Sequence, residues 1–201
     1  MTINKCDKES IKSVVSALKN GGVLVLPTDT VYGFSGIVDI NNSLPSFKTD
    51  EQIRHIKGRD ENKPLIQLIG NPSDIKKYTD VTIPSSLLNK WPGALTIIVP
   101  IKKDSPYKNP SLYETVAFRC PGDEWLRTII NELDSPIFST SVNRSGCPVL
   151  DTVSSIKEEF ENETSLIIDD GDKKGGVPST LVSILDGNIK VLRQGIIKID
   201  E

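Results

Sequence analysis

Short apolar runs, each stopped by a turn residue or a burst of polar ones, constrain this chain most. Residues 23–26, 65–69, 94–99, 115–119, 136–138, 166–168, 181–185 and 189–192 have the length of strands and are too short for buried helices. Between them the period changes. Ile11, Val14, Val15 and Leu18 fall on one helix face, with Asp7 and Ser10 able to cap its start and Asn20-Gly21-Gly22 to stop it. Asp123 precedes a helix carrying Trp125, Leu126, Ile129, Ile130 and Leu133; Thr152 caps another with Ile156 and Phe160 inward and Ser155 as its N3 partner. The spacing also predicts helices over 41–57, with Leu44, Phe47, Ile53 and Ile56 inward and Pro45 in the first turn, and over 72–78 and 84–90. Strands and helices alternate early, and Asp186-Gly187 makes a closing hairpin turn. That predicts an α/β fold: one twisted mixed sheet flanked by helices, in a single domain over 1–201.

Composition removes several function classes. The chain has 201 residues, enough to bury a real core, with 37% apolar and 25% charged residues. A net charge of −3 is not that of a polycation, so nucleic-acid contact would need a local basic patch. No run approaches the roughly 18 apolar residues of a membrane span, and the N-terminus lacks an apolar signal core. Cys6, Cys120 and Cys147 are scattered without CxxC spacing, which points to a reducing cytoplasm and to neither a disulfide frame nor a zinc site. His55, the single histidine, reads as a helix-surface residue with no nucleophile elbow near it.

Chemistry concentrates where strands end. After the run at 23–26 comes Pro27-Thr28-Asp29-Thr30-Val31-Tyr32-Gly33, and open α/β sheets hold ligands just beyond strand ends. A strand-to-helix turn capped by Thr28 and Asp29 would look the same. The run at 136–138 leads into Ser139-Thr140-Ser141-Val142-Asn143-Arg144-Ser145-Gly146, enough hydroxyls and amides to saturate a small polar ligand, or to form an ST-turn. Lys57-Gly58-Arg59-Asp60-Glu61-Asn62-Lys63-Pro64 is either a phosphate or carboxylate clamp or a solvated loop; it lacks the spacing of a Walker loop. Arg119 closes its strand, where it can hold an anion or a surface ion pair.

These motifs, in this order and joined by Trp91-Pro92-Gly93-Ala94-Leu95-Thr96, Pro178-Ser179-Thr180 and Leu192-Arg193-Gln194-Gly195, resemble the YrdC/Sua5 family of threonylcarbamoyl-AMP synthases. The resemblance runs from about residue 10 to residue 197 and is to the short type. It implies a large concave groove and the reaction of L-threonine, bicarbonate and ATP to threonylcarbamoyl-AMP and pyrophosphate. The product would feed a downstream threonylcarbamoyl transferase acting at tRNA position 37; a weak tRNA contact is compatible with it. The resemblance assigns Thr30, Tyr32, Arg119, Ser141 and Ser179 to threonine. It assigns Lys57, Arg59, Lys63, Thr115, Asn143, Thr152 and Arg193 to the nucleotide, with Lys57, Arg59, Ser141 and Asn143 catalytic. Magnesium is expected on the phosphates, held mainly by phosphate oxygens and water.

The charges and the reaction type agree with that implication. A tetraanionic nucleotide needs several cations, and Lys57, Arg59, Lys63, Arg144 and Arg193 stand in polar loops. Adenylation asks for positioning and charge neutralisation more than for a protein nucleophile. Departures from the family pattern are Asp60 for a proline, Leu68 for a histidine, with Gln67 or Tyr32 as substitutes, and Val142 for an alanine expected to narrow the pocket. Cys147 lies beside the motif and is read as no part of the catalytic set. Two other readings are a YciO-type or carbamoyltransferase-type paralogue acting on another carbamoyl substrate, and an RNA-binding module without catalysis. The low aromatic content, 5%, argues against the latter.

Overall fold

Aliphatic runs bounded by glycine and proline become the strands of one mixed sheet. The computed structural model describes residues 1–40, 46–60, 64–107, 114–185 and 187–199. In chain order the elements are β1 (Thr2–Asn4), α1 (Ser10–Lys19), β2 (Leu24–Leu26), β3 (Gly33–Ile37), α2 (Thr49–Lys57), β4 (Ile66–Leu68), a 3-10 helix (Pro72–Lys77) and α3 (Ser85–Leu88). Then follow β5 (Leu95–Pro100), β6 (Thr115–Arg119), α4 (Glu124–Leu133), β7 (Ile137–Ser141), α5 (Val153–Phe160), β8 (Leu166–Asp169), β9 (Thr180–Ile184) and β10 (Ile189–Arg193).

The sheet has ten strands in the order β1-β8-β2-β3-β7-β4-β6-β5-β9-β10. Its centre is antiparallel, β2–β3–β7–β4, and parallel pairs flank it at β8–β2, β4–β6 and β5–β9. Because strand side chains alternate between faces, each face carries its own core. On one face Leu24, Leu26, Ile37, Leu68 and Ile137 pack against Val14 and Leu18 of α1 and Leu126, Ile129 and Ile130 of α4. On the other, Val25, Phe34, Phe118 and Phe138 pack with Ile53 and Ile56 of α2 and Ile156 and Phe160 of α5.

Local signals explain several helices. Asp123 accepts from the Leu126 amide at 3.0 Å, and the Thr152 hydroxyl accepts from that of Ser155 at 3.3 Å. The other expected N-cap is different: Ser10 Oγ donates to the Lys5 carbonyl and no side chain caps α1. The expected helix over 41–57 begins at Thr49, since Lys48 stands in the left-handed region with φ 51. Its Leu44 and Pro45 lie outside the described residues. The helix expected over 84–90 is a single turn, Ser85–Leu88, and the strand expected over 65–69 is Ile66–Leu68.

β3 is the largest element that periodicity missed. Gly33-Phe34-Ser35-Gly36-Ile37 has two glycines and no strict alternation, yet it is buried throughout and pairs along its length with β7. Its glycines serve close approach: a Cβ on Gly33 would lie 2.8 Å from Ser139 Oγ, and one on Gly36 would lie 2.6 Å from Thr49 Cβ. The turn before it joins β2 to β3 as antiparallel neighbours, so Thr28 and Asp29 cap no helix.

Candidate active site

The face that carries α1 and α4 is only half covered by them. Along β3 and β7 the residues on this face run Ile37, Ser35, Gly33 and Ile137, Ser139, Ser141. The isoleucine ends lie under the helices. The glycine and serine ends form the floor of a cavity of about 280 Å³. Thr28, Thr30, Tyr32, Arg59, Arg119, Ser179 and Arg193 rise around it, and Ile66, Val31 and Val149 add apolar wall. Its charged lining residues are Arg59, Arg119 and Arg193; no carboxylate lines it among the described residues.

The turn after β2 sets hydroxyl polarity. Thr28 Oγ1 donates to the Val31 carbonyl at 2.7 Å and accepts from the Thr30 amide at 3.0 Å. A hydroxyl has one proton, so in the 2.9 Å pair of the two threonine hydroxyls Thr30 must be the donor. Thr30 Oγ1 then accepts from Arg119 Nη1 at 2.9 Å and turns only lone-pair capacity to the cavity. Ser141 behaves likewise: it donates to Asn143 Oδ1 at 2.7 Å.

Arg119, at the end of β6, is 5% exposed. Its Nε donates to the Gly93 carbonyl at 3.1 Å, and its Nη2 to Asp29 Oδ1 at 2.5 Å. Arg193 approaches from β10, with Nε and Nη2 donating to the Ser179 carbonyl at 3.1 and 2.9 Å. The Ser179 hydroxyl is in turn 2.7 Å from that of Thr96. Burial, with the Arg119 charge behind it, lowers the Arg193 pKa. Burial and Arg54 lower that of Arg59, whose Nη2 donates to the Pro64 carbonyl at 3.1 Å. A bound anion would favour the charged forms of both arginines, which burial disfavours.

Lys57 is placed differently from the clamp read in the sequence. It is 2% exposed and outside the cavity lining. Its Nζ donates to the carbonyls of Ser141 and Asn143 at 2.5 and 2.9 Å and to Asn143 Oδ1 at 2.9 Å, 5.5 Å above the Phe34 ring. Burial, then the Arg59 charge, lowers its pKa to about 8. The side-chain amide of Asn143 is also consumed internally, donating to the carbonyls of Arg144 and Cys147. Lys57 and Asn143 thus form a strut that holds the Ser141 exit.

Other expected groups separate in the same way. Thr115 is exposed at the start of β6 and Thr152 caps α5; neither lines the cavity. Lys63 lies outside the described residues. Arg144 turns away, pairing with Glu159 and Glu163 and lying 4.5 Å over the Phe160 ring. Tyr32 borders the cavity but packs its side chain in the core of the other sheet face, where its hydroxyl donates to the Gly171 carbonyl and accepts from the Asp170 amide, both at 2.8 Å. Gln67, offered as a substitute contact, is buried and accepts from the Tyr107 hydroxyl. Leu68 belongs to the layer under α4, and Val142 is buried in the opposite core, so it does not narrow the cavity. Sequence reasoning picked out Ser141 and its hydroxyl-rich run but not the floor they make with Gly33, since Gly33, Ser139 and Ser141 face one way only because β3 and β7 pair.

Fold and cavity together define an α/β domain with a cationic, hydroxyl-floored pocket. The chain belongs to the Sua5/YciO/YrdC family, whose model, described as telomere recombination, matches residues 16–195. A Methanocaldococcus jannaschii protein named putative threonylcarbamoyl-AMP synthase is 32% identical over 206 residues, covering 99% of this chain and 94% of that protein. The threonylcarbamoyl-AMP synthase of Bacillus subtilis is 33% identical over 193 residues, covering 92% of this chain and 53% of its own length. The structure of Pyrococcus abyssi Sua5 complexed with L-threonine superimposes with a TM-score of 0.81 at 27% identity, over 97% of this chain and 57% of that one. The chain therefore spans little more than half of the latter two proteins.

Proposed function

We propose that this chain is a threonylcarbamoyl-AMP synthase, carrying out the reaction for which its relatives are named. The observation that supports it best is the convergence of Arg59, Arg119 and Arg193 on one cavity whose hydroxyls are set as acceptors. An amino acid brings a carboxylate for Arg119 and an amine for the Thr30 lone pair. ATP brings phosphates for Arg59 and Arg193, with Lys63 completing the set. The amine of L-threonine takes up the carbon of bicarbonate, with loss of water, to give a carbamate. A carbamate oxygen then attacks the α-phosphorus of ATP, and the bond to pyrophosphate breaks.

In this reading the protein orients and neutralises and forms no covalent intermediate. Ser141 accepts a donor from the amino acid or the ribose, Ser179 and the Tyr32 backbone bound the amino-acid end, and Thr115 and Thr152 flank the nucleotide from outside the cavity. Lys57 and Asn143 act through Ser141. Magnesium enters on the nucleotide: among the described residues no cluster of three His, Cys, Asp or Glu forms a cage for it, and the hydroxyl and arginine lining suits its phosphates better than the bare ion. The product serves N6-threonylcarbamoyladenosine formation on tRNA, through a downstream transferase. Among the described residues no helix is long and apolar enough to cross a membrane, and we place the activity in the cytoplasm.

The test is incubation of the purified chain with ATP, bicarbonate, magnesium and labelled L-threonine. A labelled adenylate with equimolar pyrophosphate is expected. Threonine-independent turnover of another carbamoyl compound would overturn the reading in favour of a paralogue. Tight, salt-dependent tRNA binding with no ATP binding would overturn it in favour of an RNA module.

A further inference from the structure

Arg119 owes its direction to a residue outside the cavity. A guanidinium has five N–H groups, and three are spent on Gly93, Thr30 and Asp29. The Gly93 and Thr30 contacts hold Nε and Nη1 through neutral acceptors. Asp29, at 2.5 Å from Nη2, holds the third nitrogen and is the one charged partner among the three. Asp29 does not line the cavity, and its side chain is 22% exposed against 6% for that of Arg119. It therefore sits behind the arginine, where a carboxylate cannot meet a bound anion but can orient the cation that does.

The neighbouring backbone keeps room for this contact. A Cβ on Gly122 would lie 2.8 Å from Asp29 Oδ2 and 3.3 Å from Asp29 Cγ. Gly122 needs no unusual backbone angle, as its φ is outside the positive range. The position thus has space for Asp29 and none to spare, which gives a second, independent way to disturb the pair.

We propose that Asp29 is a positioning residue that fixes the Arg119 fork, so that its two remaining N–H groups present a bidentate seat for the carboxylate of the amino-acid substrate, with Gly122 as the clearance that permits it. This rests on the reading of the cavity as a threonine and ATP site. A planar fork held at three corners loses little entropy on meeting a carboxylate, whereas a loose one must be ordered by the substrate itself. The contact matters to amino-acid affinity, and to neither ATP nor the fold.

The experiment compares wild type with Asp29→Ala, Asp29→Asn and Gly122→Ala. Steady-state assays give KM for L-threonine, KM for ATP and kcat; thermal melting reports the fold. Arginine Nε–H NMR of 15N-labelled protein, with the Arg119 signal assigned by its loss in Arg119→Lys, reports the fork itself. Asp29→Ala is expected to raise the threonine KM about tenfold or more, as befits a lost charge-assisted bond, with kcat, the ATP KM and melting close to wild type. Asp29→Asn, which keeps an acceptor, should recover part of the loss. Gly122→Ala should reproduce Asp29→Ala. The Arg119 signal should be sharp in wild type and broadened by exchange in Asp29→Ala and Gly122→Ala. An unchanged Arg119 signal in Asp29→Ala overturns the proposal, as does an equal loss in threonine KM, ATP KM and melting temperature. If the wild type makes no threonine-dependent adenylate, the functional reading falls, and the NMR result alone decides whether Asp29 holds the arginine.

Discussion

β3 and β7 each cross from one environment to another within five residues. At one end Ile37 and Ile137 lie under α1 and α4 with Leu68, all of them nearly inaccessible. At the other end Gly33 and Ser141, two places along on the same face, floor a cavity ringed by arginines. Backbone pairing is continuous across the boundary; only side-chain size and polarity change. The dry half supplies stability through burial, and the open half supplies a surface whose donors and acceptors are already oriented. Removing volume from a sheet face, with no change of topology, is enough to turn a core into a site.

Four substitutions test this division, in order of falling effect. Arg59→Ala removes a cavity cation from a loop and should cut adenylate formation about 100-fold or more, with urea unfolding unchanged; near-normal turnover would remove Arg59 from the phosphate assignment. Ile137→Ala, on the same strand as Ser141, should instead cost about 2–5 kcal/mol of stability and leave the turnover of the folded fraction intact. A loss of kcat in the folded protein would show that the two halves are not separable.

Lys57→Met probes the boundary itself. Removing the strut should lower turnover roughly 10- to 100-fold through misplacement of Ser141. It also carries a pH signature. The pKa of Lys57 falls from 10.5 to about 8 on folding, so between those values the unfolded chain binds the extra proton. Stability from this group therefore rises with pH across that window, its burial cost being fully present below it. The unfolding free energy of wild type minus that of Lys57→Met should increase from pH 8 to pH 10; a flat difference would mean that the buried amine is not the titrating group. Smallest is Arg144→Ala, outside both halves, whose half-exposed pairs with Glu159 and Glu163 should contribute less than about 1 kcal/mol in the same urea assay.

Much of this was legible in the sequence. Asp123 and Thr152 announced their helices by capping chemistry that depends on neighbours alone, and the aliphatic runs announced most strands. β3 was not, because glycines chosen for close approach to Ser139 and Thr49 erase the periodic signal. β1, three residues at the sheet edge, is too short to show one. Arg59, Arg119, Ser141 and Arg193 could be picked out by motif and do meet in one cavity. Lys57 stands in the same charged stretch, and nothing local shows that its side chain points inward to the 141–143 backbone. Which member of a polar cluster faces a ligand and which braces the loop depends on pairing distant in sequence, as between Lys57 and Asn143 or Asp29 and Arg119.

The proton that Thr28 gives to its own turn has a reach beyond that turn. Because it forces Thr30 to approach the pocket empty-handed while Arg119 comes with hydrogens to offer, the two neighbours form a keyed socket with opposite poles. On the proposed reading a zwitterion would seat in it one way round. Reversed, it would set ammonium against guanidinium, so the direction in which the nitrogen points would be settled before any chemistry begins.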